Sequence, residues 1–140
     1  MAEKVLIDTG PIVAVLIAKD QHHQWARDQF SSLAPPLFTC EAVLSEAQFL
    51  LHSFGGDPTV VLEMVTKGVL HIDFDVEAEI DRLSTLQRTY RNMPMSLADA
   101  CLVRMTELHA RSHIFTIDSD FRIYRRHGRQ LIPVLMPSDI

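Results

Sequence analysis

Cysteine is scarce in this sequence, positive charge is outweighed and long apolar runs are missing. Only Cys40 and Cys101 occur in 140 residues, far apart and without Cys-x-x-Cys or Cys/His spacing. That speaks against a disulfide framework and a structural zinc site, and reads as two small apolar residues in a reducing cytosol. No apolar run approaches the ~18–20 residues that span a bilayer. The run near Met1 is too short for a signal-peptide core, so a cytoplasmic protein without membrane association is expected. Lys and Arg number 13 against 18 Asp and Glu, a net charge of −5, so general attraction to phosphate over the whole surface is not expected. The motifs G-x-x-x-x-G-K-[ST], G-x-G-x-x-G and G-x-S-x-G are missing too. P-loop nucleotide hydrolysis, dinucleotide binding and serine-hydrolase chemistry lose support accordingly.

What is present has the composition of a globular domain: 47% hydrophobic and 22% charged residues. The length suits one domain over residues 1–140. Apolar runs alternate with turns and amphipathic stretches. Val5-Leu6-Ile7 reads as a buried strand, followed by a helix entered through Pro11 and running to about Ala18. A helix over His22 to Leu33, a strand at Leu37-Phe38, and a helix capped by Thr39 to about Ser53 follow. Asp57-Pro58 opens the next helix, and Val69 to Phe74 reads as a strand. Val76, Ile80, Leu83 and Tyr90 recur at helical spacing. Ser96 opens a helix to about Ala110. His113 to Ile117 and Leu131 to Leu135 read as the last strands. Short strands separated by helices predict an α/β sandwich with a mostly parallel sheet and helices on both faces.

Ligands of open parallel sheets bind beyond the carboxyl ends of the strands. Two strands end in acids there: the first in Asp8, a later one in Asp118-Ser119-Asp120. Asp8 also reads as a helix N-cap or turn residue, and Asp118 as the cap of a short helix through Phe121. Val43, Ala47, Leu50 and Phe54 form an apolar stripe at helical spacing, with Glu41, Ser45, Gln48 and His52 opposite. Glu46 falls along that stripe, where a carboxylate needs a partner. Asp99 lies off the exposed face marked by Arg104, Glu107 and Arg111. It reads either as a site acid or as the third helical residue of a capping box with Ser96. Carboxylates that converge repel one another unless a cation sits among them. Oxygen donors select Mg²⁺ or Mn²⁺. Setting aside Asp8, Glu46, Asp99, Asp118 and Asp120 leaves 13 acids against 13 Lys and Arg, a surface neutral on balance.

These residues resemble a PIN-domain ribonuclease, and closely the small stand-alone members typified by VapC-like toxins. The matches are Val5-Leu6-Ile7-Asp8-Thr9-Gly10-Pro11, Glu46 in the helix after Thr39, Ser96-Leu97-Ala98-Asp99-Ala100, and Phe115-Thr116-Ile117-Asp118-Ser119-Asp120-Phe121. Asp20-Gln21-His22-His23-Gln24-Trp25-Ala26 resembles the start of the family's second helix. The resemblance spans the chain in order. It implies a three-layer sandwich on a five-stranded parallel sheet, with Asp8, Glu46, Asp99 and Asp118 around one or two Mg²⁺ or Mn²⁺ ions. Asp120 would support them, and Thr9 and Thr116 would orient ligands or water. Ser96 departs from related chains, which often carry an acid there. The resemblance also implies a homodimer and, for a toxin, a protein antitoxin that sets an Arg or Lys against the acids.

The expected function is metal-assisted hydrolysis of RNA phosphodiesters, with the five acids as the catalytic set. Arg122, Arg125, Arg126 and Arg129 follow the fourth acid and are the candidate contacts to RNA phosphates, or else an ordinary solvated charge run. Two alternatives stand beside this: a catalytically silent module binding RNA or protein, and a metal-dependent phosphatase with Asp118 as nucleophile. Ile12, Val15 and Leu16 read as core or as partner surface, Trp25 and Phe30 as packing, and His22-His23 as surface. His109 and His113 do not share a helix face.

Overall fold

The computed structural model describes residues 3–140. Strand β1 (Lys4–Ile7) leads into helix α1 (Thr9–Leu16), then α2 (His23–Ser32), β2 (Leu37–Thr39), α3 (Glu41–Ser53), α4 (Thr59–Thr66), β3 (Leu70–Ile72), α5 (Ile80–Thr89), α6 (Leu97–Leu108) and β4 (Ser112–Phe115). A 3₁₀ turn (Ser119–Arg122) follows, then β5 (Arg125–Arg126), β6 (Gln130–Leu131) and β7 (Val134–Leu135). The main sheet has five strands in the order β3-β2-β1-β4-β7, all parallel. Parallel neighbours need crossovers, and the helices supply them on the two faces.

β1 is the central strand, and Leu6 and Ile7 are completely buried. Its register with β4 sets Ile7 beside Phe115, so the next residues, Asp8 and Thr116, leave the sheet side by side. Trp25 and Phe30 of α2 pack on the Phe115 ring with centroids 5.3 and 5.5 Å away, the packing role expected of them. α6 lies against β1, β4 and α5, and every residue from Ala100 to Val103 is buried. Cys40, at the start of α3, and Cys101 of α6 are sixty-one positions apart in sequence, and both are free and buried.

Four local expectations need correction. Thr39 ends β2, and its hydroxyl donates to the Ile7 carbonyl at 3.1 Å; Cys40 takes the N-cap position of α3. The run from Leu131 to Leu135 is not one strand. Gln130–Leu131 pairs antiparallel with Arg125–Arg126, and only Val134–Leu135 joins the main sheet. Pro133 separates them, having no N–H for a ladder; its carbonyl accepts from Ile114 N–H at 2.9 Å. His22 is buried rather than on the surface, with Nε2 3.4 Å from the Asp139 carboxylate, and His23 Nδ1 lies 2.7 Å from the Ala14 carbonyl. The helix expected from Val76 begins only at Ile80.

The β5–β6 hairpin is pinned to α6 from two sides. Glu107 accepts a bidentate pair from Arg82 at 2.9 and 2.7 Å, a bond from Arg104 at 3.2 Å and the His127 N–H at 2.7 Å. Burial alone would raise its carboxyl, but Arg82, the His127 N–H and Arg104 outweigh it and hold the pKa at about 2. On the other side the buried Arg126 guanidinium donates to the carbonyls of Thr106, His109 and Ala110. These carbonyls lie at the end of α6, where helical acceptors lack intrahelical partners.

Candidate active site

Asp8 stands at the carboxyl end of the central strand and is only 6% exposed. Its Oδ1 accepts the Thr9 N–H at 2.8 Å, so the acid is the N-cap of α1, the capping reading made from the sequence, and its other oxygen is left to face the site. Its Oδ2 accepts the Thr116 hydroxyl at 2.7 Å. Thr116 in turn accepts the Asp118 N–H at 2.9 Å. Asp118 caps the 3₁₀ turn as expected, accepting the Asp120 N–H at 2.9 Å. The next contact is steric: a β-carbon on Gly10 would run into the Ile117 side chain, so glycine is what lets α1 start this close to the exit of β4.

Asp99 projects from the first turn of α6. Ser96 caps that helix, accepting the Asp99 N–H at 3.0 Å, while Tyr124 donates its hydroxyl to Asp99 Oδ2 at 3.0 Å. Glu46 differs from its expected setting. The buried residues of α3 are Val43, Leu44, Ala47 and Leu51, whereas Phe54 is 62% exposed and Glu46 faces outward. The helix is thus turned from the stripe read in the sequence. Glu46 has a partner all the same, since Thr9 Oγ1 donates to its Oε2 at 3.1 Å.

The acids sense one another. Burial, reinforced by the charges of Asp99 and Asp118, pushes the Asp8 carboxyl up to about 7, although Thr116 and the Thr9 N–H pull it down. Burial also raises Asp99 to about 6, with Asp118 and Glu46 adding to the shift and Tyr124 opposing it. Burial and the charge of Asp99 push the Tyr124 phenol well above its usual range. Tyr124 is the site residue that sequence reasoning missed. The available signal was a tyrosine just after the Asp118-x-Asp120 segment; once buried, its hydroxyl has to find a partner.

Among the described residues, no three acidic, histidine or cysteine side chains stand close enough to share one ion as placed. The chemistry of the donor set nevertheless suits a hard divalent cation: only oxygen donors, mutual repulsion, and two carboxyls driven toward the protonated form by burial and by neighbouring acids.

The four arginines do not form one surface. Arg126 is withdrawn from the candidate RNA contacts, because it is 6% exposed and committed to the end of α6. Arg125 is half-buried, and its guanidinium donates to the carbonyls of Arg122, Ile123 and Tyr124. Arg122 is exposed and donates to the Ile140 carbonyl at 2.6 Å; Arg129 is exposed on the hairpin. Of the apolar residues of α1, Ile12 is core. Val15 and Leu16 are half-buried, and Val15 lines a groove of about 350 Å³ with Phe30, Leu33 and Leu37.

The sequence profile of the PIN domain matches residues 5–126, from β1 to the end of β5. This chain belongs to the PIN-domain family. A solved structure shares the PIN fold: VapC20 of Mycobacterium tuberculosis, described as a sarcin-ricin loop cleaving toxin, superposes with a TM-score of 0.76 over 93% of this chain and 100% of its own, at 20% identity. No curated protein is significantly similar in sequence. The three-layer α/β sandwich implied by the resemblance is the PIN fold seen here, with its acids grouped around the carboxyl ends of β1 and β4. No helix among the described residues is long and apolar enough to cross a membrane.

Proposed function

We propose that this PIN domain is a divalent-cation-dependent endoribonuclease of the VapC-like toxin type, acting in the cytoplasm. One arrangement carries the reading: the buried Asp8 and the backbone of Asp118 share the Thr116 hydroxyl beyond the sheet, Glu46 is held on Thr9 and Asp99 on Tyr124, and burial with the acids around them pushes Asp8 up to about 7 and Asp99 to about 6. Such an arrangement is unfavourable on its own and becomes favourable around a cation.

Asp8, Glu46, Asp99 and Asp118 would hold Mg²⁺ or Mn²⁺, with Asp120 beside them. When bound, the cation lowers the pKa of a water ligand and neutralises charge on a phosphodiester. The chain's own residues do the positioning. Thr116 orients the Asp8 carboxylate and holds the Asp118 backbone, Thr9 holds Glu46, and Tyr124 holds Asp99. Arg122 and Arg129, the exposed pair of the four, would meet phosphates flanking the cut. A toxin of this kind would form a homodimer and be silenced by an antitoxin that sets a cationic side chain against the acids. The family match does not favour the phosphatase or the silent-module alternative.

The test is cleavage of a panel of structured RNAs, including a sarcin-ricin stem-loop, by wild type and Asp8→Asn. Each is assayed with Mg²⁺, Mn²⁺ or EDTA. Cation-dependent cuts that vanish in Asp8→Asn are expected. Equal cutting by both proteins would place the activity elsewhere.

A further inference from the structure

Phe49 is 71% exposed, the most exposed large apolar side chain among the described residues. It does not belong to an apolar stripe. Its neighbours on the outer face of α3 are Ser45, Glu46, His52 and Ser53, all exposed and polar. Isolated apolar residues are common on protein surfaces, but this one stands one helical turn from Glu46, with β-carbons about 5–6 Å apart on ideal helix geometry. The ring, Glu46, Ser45 and Leu50 line one open depression of about 470 Å³.

We propose that Phe49 is the stacking platform for an unpaired RNA base beside the scissile phosphate. This inference rests on the ribonuclease reading above. A protein partner would be expected to meet a continuous apolar patch. A nucleobase has an apolar face and a polar rim, which suits a ring and the edge of Leu50 with the Ser45 hydroxyl and the Glu46 carboxylate beside them. Charge also favours this side of α3. The depression on the other side of Ser45 is lined by Glu41, Asp75 and Glu77, three acids that repel a phosphate chain. The depression at Phe49 contains a single acid, Glu46, and the proposed function assigns that acid to the cation. A strand reaching the centre is therefore steered over the ring.

The experiment measures steady-state cleavage of single-stranded oligoribonucleotides by wild type, Phe49→Ala, Phe49→Leu and Phe49→Trp, with solution mass by light scattering. The side chain is exposed, so all four fold alike, which melting curves check. The expected result is a KM about tenfold higher for the alanine and leucine variants, within the range that loss of one base–aromatic stack produces. Their kcat should stay near wild type and their cut-site preference should weaken, while tryptophan preserves both. Active wild type with an unchanged KM in Phe49→Ala overturns the platform and leaves the ribonuclease reading intact. So does a leucine variant as good as wild type, or a loss of self-association at unchanged KM. Absence of cleavage by wild type on every RNA overturns the ribonuclease reading, and the platform with it.

Discussion

The Thr116 hydroxyl donates to Asp8 Oδ2 at 2.7 Å while accepting the backbone N–H of Asp118 at 2.9 Å. One buried side chain thus joins the acid at the end of β1 to the backbone of the acid after β4. The strand register makes this possible, because Ile7 and Phe115 are paired and the residues that follow them meet. The contact steadies two carboxylates without being one.

Thr116→Val keeps the shape of the side chain and removes the hydroxyl. Asp8 then loses the first of the groups that lower its pKa, and the Asp118 N–H loses its acceptor. Cation affinity and kcat/KM should fall about 10–100-fold, the usual effect of removing a group that orients a metal ligand. Isothermal titration with Mn²⁺ and cleavage kinetics on the same protein check this. Wild-type values in both would show that the hydroxyl orients nothing.

Without divalent ions, stability should fall as pH rises from 5 to 8. The folded-state pKa of Asp8 is about 7 against an ordinary 3.8. The folded chain therefore keeps a proton that the unfolded chain has already released, and each step in pH through that window favours unfolding. The difference for Asp8 is on the order of 4 kcal/mol when complete. Asp99, raised to about 6, acts in the same direction. Urea denaturation in EDTA at the two pH values should show the loss in wild type and a flatter profile in Asp8→Asn, whose amide carries no charge. Adding Mg²⁺ should restore wild type at pH 8. Wild-type stability that rises over this range would contradict the assignment.

Tyr124→Phe keeps a ring packed at 5.0 Å from Tyr90 and 5.4 Å from Phe121. It removes the bond that favours the charged form of Asp99, so the Asp99 pKa should rise further. The acidic limb of the pH–rate profile should move to higher pH, with melting temperature little changed. The loss of one hydrogen bond is worth only about 1 kcal/mol. An unmoved limb would mean that the ionisation of Asp99 does not govern activity.

Arg126 and Arg129 should separate stability from binding. Arg126→Ala leaves the carbonyls of Thr106, His109 and Ala110 without this donor and should destabilise the fold by about 2–3 kcal/mol. The KM for RNA of the protein that remains folded should hold. Arg129→Glu should leave the melting temperature alone, raise KM and reduce its dependence on salt. Kinetics at two salt concentrations together with thermal melts distinguish the two. A stable Arg126→Ala with weakened RNA binding would reverse the assignment.

The places of Asp8, Asp99 and Asp118 in the fold, and so their candidacy for the site, were legible in the sequence because they follow from local rules. Two end apolar runs, one follows a serine cap, and short-range patterning places all three. Glu46 was found only in part. The rotation of α3 is set by packing against α1 and α6, and a stripe of apolar letters does not record which neighbours win. Leu44 and Leu51 went inward where Phe54 did not. Arg126 looked like its three neighbours because a charge run reads the same whether a guanidinium meets water or the end of a helix. The single strand expected from Leu131 to Leu135 ignored Pro133, which parts the hairpin from the sheet. Tyr124 was out of reach for a simpler reason: its partner lies 25 positions away, and only the tertiary fold brings them together.

The glycine at position 10 sets a steric tolerance at the centre of the domain. Because a β-carbon there would strike Ile117, Gly10→Ala acts as a wedge between the strand exit that carries Asp118 and the helix that Asp8 caps. Every carboxylate would survive that change while their spacing would not. Trimming Ile117 to alanine would reopen the gap, so the defect belongs to the pair rather than to either position. In a genetic screen these two residues would emerge as an inactivating change and its suppressor, although neither carries any of the chemistry.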